Sequence, residues 1–325
     1  MRKTALALSL ATALGLMLSA CGGSDETAEA PATEKPQQAA EKAPAKDSKA
    51  TKTATANPND PNNLPKLKCP AKVNKDLPGP DVIGIKLGMS QEQALNIVRC
   101  HTKDQAYVSF QPRWLEIQTY GIQLGPQAFQ AQHGDTSECS FRSFSDMQKC
   151  GAGNRLGNHV AEKIVVATPG LPGRETVVGI WRSQSFKEGE MPARDSVVDA
   201  LVKKYGPFQH QITGDPRRED LFWGQDSTGN VPSEQSPLAH YCISGGALPT
   251  GGAVWREGCG LNIAVRIIFN PQNPNLVKDI HLGMIHQENL WSYAEAIQVE
   301  LEELEQKRRQ EELNRARDAG SDIQL

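Results

Sequence analysis

Apolar residues along this chain switch between a helical and a strand-like period, and the switches mark out its elements. Residues 82–89 are largely apolar and lead into Ser90-Gln91-Glu92-Gln93, where a Ser with a Gln three positions on reads as a capping box. Ala94, Leu95, Ile97 and Val98 then recur at helical spacing, which predicts a helix from the cap to about Arg99. Four runs rich in β-branched and aromatic residues follow at 107–110, 115–120, 160–168 and 176–186, broken by Gly and Pro, and read as strands. A polar, glycine-rich loop between the second and third runs contains Cys139 and Cys150.

The same order then repeats. A helix opens at Pro192, runs through Val197, Val198, Leu201 and Val202, and stops at Lys203-Lys204-Tyr205-Gly206-Pro207, with lysines before the end, glycine past it and proline next. Strands are predicted at 221–223, 240–244, 261–269 and 276–285. One helix followed by four consecutive strands, twice, at a spacing of about 105 residues, predicts an α+β fold. Its expected form is two tandem units, 67–190 and 191–287, each a helix on a four-stranded antiparallel sheet. A C-terminal helix is added within 288–325. Its Leu290, Ala294, Ile297, Leu301 and Leu304 follow 4-3-4-3 spacing, a seam that predicts docking of its first half. Beyond Leu304 the helix is Glu, Gln, Lys and Arg punctuated by Leu313 and Ala316, a solvated end, with a coiled-coil partner as the alternative.

Upstream the pattern fades. Residues 22–66 hold six prolines, no aromatic residue, no Val or Ile and a single Leu, too little apolar surface to offset chain entropy. Residues 21–66 therefore read as a tether with a reach of roughly 35–40 Å. Before it, Arg2 and Lys3 precede the short apolar stretch 5–18, which is too brief to span a bilayer. Residues 1–20 read as a signal peptide. Leu18-Ser19-Ala20-Cys21 resembles the lipobox of bacterial lipoproteins. That resemblance implies cleavage before Cys21, lipidation of its thiol and acylation of the new amine, hence a membrane anchor outside the cytoplasm. By analogy with lipoprotein sorting, Gly22 after the cysteine points to the outer membrane, with the folded part in the periplasm.

Removal of residues 1–20 takes Arg2 and Lys3 from the 35 basic residues, leaving 33 against 38 acidic ones and a net charge of −5. Without a basic cluster such a chain is a poor partner for nucleic acid. Of seven cysteines, one is the candidate lipid site, leaving Cys69, Cys100, Cys139, Cys150, Cys242 and Cys259. An even set in an oxidising compartment reads as three disulfides. Cys242 and Cys259 flank the glycine-rich connection 245–252, Cys139 and Cys150 share one loop, and Cys69 with Cys100 ties the start of the fold to the end of its first helix.

No H-E-x-x-H, G-x-S-x-G or phosphate-loop motif occurs, and the seven histidines are scattered, so neither a metal site nor a cofactor is read from the sequence. Trp114, Trp181, Trp223, Trp255 and Trp291 read as packing residues rather than a sugar platform.

Residues 85–93, Ile-Lys-Leu-Gly-Met-Ser-Gln-Glu-Gln, resemble the opening of the SmpA/BamE-type outer-membrane lipoproteins, and Tyr205-Gly206-Pro207 with Leu221-Phe222-Trp223 resembles the later part of that pattern. The related fold of proteinaceous β-lactamase inhibitors places two such units in tandem. This chain departs from the pattern in lacking a Gly-x-Pro turn after its first helix, in its length and in its extra cysteines. The resemblance implies the tandem fold; a disulfide-stapled module on a long tether, without a catalytic motif, reads as a non-enzymatic envelope protein that binds another protein, as an assembly module or, given the tandem inhibitor-like organisation, an inhibitor. The alternative is a periplasmic hydrolase acting on cell-wall or sugar substrates through carboxylates such as Asp135 and Glu138.

Overall fold

The computed structural model describes residues 64–71, 76–134 and 160–320. Ser90 caps helix α1 (Gln91–His101) in both directions: its Oγ accepts from the Gln93 N–H, and the Gln93 side chain accepts from the Ser90 N–H. The helix presents Ala94, Leu95, Ile97 and Val98 to the core. Helix α2 (Arg194–Tyr205) ends at Gly206, whose φ of 83° only glycine adopts freely.

Among the described residues eight strands form a single antiparallel sheet. They are β1 (Tyr107–Gln111), β2 (Ala128–His133), β3 (Glu162–Ala167), β4 (Gly179–Ser185), β5 (His210–Ile212), β6 (Arg218–Asp226), β7 (Cys259–Phe269) and β8 (Val277–His286). Their order in the sheet is β1-β2-β3-β4-β8-β7-β6-β5, with β4 and β8 paired antiparallel at the centre. The expected α+β class with antiparallel pairing is therefore present, and the strands share one sheet.

Strand alternation sorts the side chains onto two faces. Phe129, Ile164, Val166, Ile180, Met284, Ile263 and Val265 build the larger core, on the face that α1 and α2 cover. Trp181, Phe222, Ala264 and Ile285 face the other way, under the segment 244–255 and Leu290 of helix α4 (Gln287–Gly320). At 34 residues α4 is about 51 Å long. Its first half docks through Leu290, Ile297 and Leu301, as expected. The last seam position differs, however: Leu304 is exposed and Glu305 is buried, bonding Arg308 and Arg309. The straight helix drifts off a strict heptad once its contact ends.

Two strand expectations need correction, and two strands, β2 and β5, were not expected. Residues 115–120 form no strand; Ile117 and Tyr120 pack instead with Ile297 and Leu301 of α4, and the partner of β1 is β2. Apolar residues there satisfy a helix rather than a sheet. Residues 240–244 fall in a short helix, α3 (Ala239–Ile243), whose last carbonyls are taken by the Asn262 side chain. Finally, β5 is exposed at all three positions, Ile212 included, so no buried apolar face marked it.

Cys69–Cys100 and Cys242–Cys259 are disulfide-bonded, with Cα–Cα distances of 5.7 and 4.9 Å. Both expected pairings hold, although Cys242 lies on α3 rather than on a strand. Cys21, Cys139 and Cys150 lie outside the described residues. Cys242 and Cys259 are fully buried and close a loop with a sequence separation of 17. The double variant Cys242→Ala/Cys259→Ala is expected to lose about 3 kcal/mol. Thermal unfolding should register this as a Tm lower by roughly 6–12 °C, at the ~2–4 °C per kcal/mol usual for a fold of this size. An unchanged Tm would show that the bridge restrains nothing.

Candidate functional site

The two sheet faces each gather side chains that the core does not require. On the helix face, alternation along β3 points Glu162 inward with Ile164 and Val166. Its carboxylate is buried, and three side chains from other elements converge on it. His101 Nε2 at the end of α1 and His133 Nε2 at the end of β2 each lie 2.9 Å from Oε2, and Arg182 Nε on β4 lies 2.5 Å from Oε1. Burial raises the pKa of Glu162, but the hydrogen bonds from His101 and His133 and the Arg182 charge outweigh it, so the group is held well below the usual carboxylate range. A carboxylate only accepts, so each imidazole must carry its proton on Nε2. The cluster is closed on itself by these bonds. Among the described residues no set of three or more His, Cys, Asp or Glu side chains is disposed to hold a metal ion.

Arg182 links this cluster to a groove of about 450 Å³ between α2 and the centre of the sheet. Ile280 and Leu282 of β8 line it, with Val197 and Leu201 of α2 and the turn residues Val82 and Ile83. Lys204 also lines the groove, its Nζ 3.1 Å from Asp81 Oδ1, and the Tyr205 hydroxyl donates to the Asp81 carbonyl. Burial and the Asp81 charge push the Tyr205 phenol well above its ordinary value, with the Arg182 charge opposing them. The phenol therefore stays neutral.

On the opposite face, register places Lys163, Ser183, His281, Arg266 and Asp220 in one row across five strands. Asp220 accepts two bonds from Arg266 at 2.7 Å, and Ser183 Oγ lies 2.9 Å from His281 Nδ1. Burial lowers the pKa of His281, which keeps its ring neutral near pH 7. Along the strands from this row, Trp181 packs against Trp114, which stacks on Trp255 at 6.2 Å between centroids. Trp114 and Trp255 are only half-buried, and Leu248 and Val254 on the same segment are exposed. That segment is held firmly: Asn262 bonds Ala247, Gln287 bonds Arg256, and the Arg256 guanidinium lies 3.7 Å above the Tyr241 ring.

Of the residues singled out from sequence, the structure brings together Cys69 with Cys100 and Cys242 with Cys259. Asp135 and Glu138 lie outside the described residues. The tryptophans serve packing, as expected, at Trp181 and Trp223, while Trp114 and Trp255 stay partly open and Trp291, on the outer face of α4, is exposed. Sequence reading passed over Glu162 and Arg182, and took His101 as one of the scattered histidines and His133 as a loop residue, whereas His133 ends β2; the four share no spacing. One trace existed, a charge at the inward position of the alternating Glu162, Ile164, Val166 run.

Among the described residues no helix is long and apolar enough to cross a membrane. No protein-family model, no curated protein and no solved structure matches this chain.

Proposed function

We propose that this chain is a non-enzymatic, lipid-anchored protein of the cell envelope that binds another protein through the tryptophan-bearing face of its sheet. Lipidation at Cys21 and residence at the outer membrane rest on the 18–21 signature and on Gly22. The observation that carries the binding role is the exposed apolar patch of Leu248 and Val254 beside the stacked Trp114 and Trp255. Partly open aromatics on a pre-ordered loop lose little entropy on binding and suit the centre of an interface. The Lys163–Asp220 row alongside supplies a charged, polar rim. Tandem duplication accompanies this reading, supported by two strand quartets that each follow a helix and meet through their last strands.

A photo-crosslinking residue at Val254, with one at Lys203 on α2 as the control, tests the proposal in cells. The expected result is a discrete crosslinked protein from position 254 alone, lost in the Trp114→Ala/Trp255→Ala variant. If position 254 captures no protein and the purified chain hydrolyses a cell-wall fragment, the binding role is wrong.

A further inference from the structure

We infer that the groove beside α2 binds a single-chain anionic amphiphile, a molecule of the fatty-acid class. Its alkyl chain would lie on Val82, Ile83, Val197, Leu201, Ile280 and Leu282, with its carboxylate on the Arg182 guanidinium. This site is separate from the tryptophan face and goes beyond the protein-binding role.

Three features select this ligand. The first is the poor coverage of α2, which fully buries only Val197 and leaves Leu201 and Tyr205 half-open to the groove. By contrast, α1 buries four apolar residues in a row of turns. Apolar surface left open in a concave wall favours an apolar occupant.

The second is the state of Arg182. Its Nε is fixed by the buried Glu162, which His101 and His133 hold in turn, whereas its Nη atoms have no hydrogen-bond partner among the described residues. An arginine oriented from behind with terminal donors unspent is prepared for a carboxylate. Lys204 adds a second positive charge at the groove wall; Asp81 and Glu162 are the anions that face this pair.

The third is what the groove does not offer. Its strands, β4 and β8, are paired on both sides, so no sheet edge is free for a peptide backbone. Besides Arg182, Lys204 and Tyr205, whose hydroxyl is taken by the Asp81 carbonyl, the polar side chains of the lining are Gln184 and Ser196. A polypeptide laid here would leave most of its N–H and C=O groups unpaired, whereas an alkyl chain has none to satisfy. The tether 22–66 is excluded as occupant because it carries a single Leu and no other large apolar residue.

Palmitate and its neutral counterpart hexadecanol test the inference, by displacement of a fluorescent fatty acid from the full chain carrying Cys21→Ser, so that no anchor lipid competes. Palmitate should bind one per chain and at least tenfold tighter than hexadecanol. Arg182→Gln should erase that preference. Leu201→Trp, at a half-exposed helix position that leaves the charges untouched, should abolish binding of both while circular dichroism stays unchanged. Equal affinity for acid and alcohol would overturn the proposal. So would full binding in Leu201→Trp, or tighter binding of an apolar peptide with a free C-terminal carboxylate. None of these results bears on crosslinking at Val254, so the two readings fail separately.

Discussion

Asn262→Leu is expected to destabilise the protein by about 4 kcal/mol, although the two side chains are similar in size. Asn262 is fully buried on β7, and its amide nitrogen donates to the carbonyls of Cys242 at 3.0 Å, Ile243 at 2.6 Å and Trp223 at 3.2 Å. Its oxygen accepts from the Ala247 N–H at 2.6 Å. One side chain thus closes the end of α3 and the start of the segment that leads to Trp255. Leucine would leave those backbone groups buried and unpaired, at about 1–3 kcal/mol for each that finds no substitute. Thermal unfolding should shift down by roughly 8–16 °C, and Cys242–Cys259 should become reducible under conditions that leave the parent protein intact. Asn262→Asp is expected to do no better, because its second oxygen would face three carbonyl oxygens. A Tm within a degree or two of the parent for Asn262→Leu would show that water or a shifted loop replaces these bonds.

Glu162→Ala should cost about 3 kcal/mol, the lower end for breaking a buried ion pair, since Arg182 and the two histidines keep some contact with solvent. The pH dependence gives the sharper check. The folded-state pKa of Glu162 lies below its unfolded value, which is near 4.3 for a free glutamate. Its contribution is therefore fully present above that unfolded value and is lost as pH falls toward the folded one. Stability curves of the parent and Glu162→Gln should run apart near neutrality and converge as the solution is acidified below about pH 4. His101, His133 and Arg182 are the charged and titratable groups that face this carboxylate. Parallel curves down to pH 3 would mean that Glu162 is not the group responsible.

Legibility in the sequence followed the range of the interaction that decides each feature. The Ser90 capping box, the Gly206 stop and the apolar face of α1 are contacts within one or two turns, and each stands where the pattern put it. The strands β3, β4, β7 and β8 were legible because each buries a face that must be apolar. Residues 115–120 and 240–244 were misread for the same reason: local composition reports that side chains are buried, not whether a sheet or a helix buries them. The ionic cluster was invisible, since its four members are drawn from α1, β2, β3 and β4 and meet only in three dimensions.

By itself, then, the sequence determined the three long helices and most of the buried strands, the antiparallel α+β class, two cysteine pairs and the docked first half of α4, because turn chemistry and hydrophobic period act over a few residues. The tertiary structure alone decided that the strands share one sheet. That outcome depends on pairing β4 with β8, whose inner rows of Ile180, Arg182, Leu282 and Met284 lie about 100 residues apart in the chain. It likewise decided which faces stayed open. The exposure of Trp114 and Trp255, and the unspent donors of Arg182 above an apolar groove, follow from where helices and loops stop covering the sheet. Coverage depends on long-range packing, which no window of sequence reports.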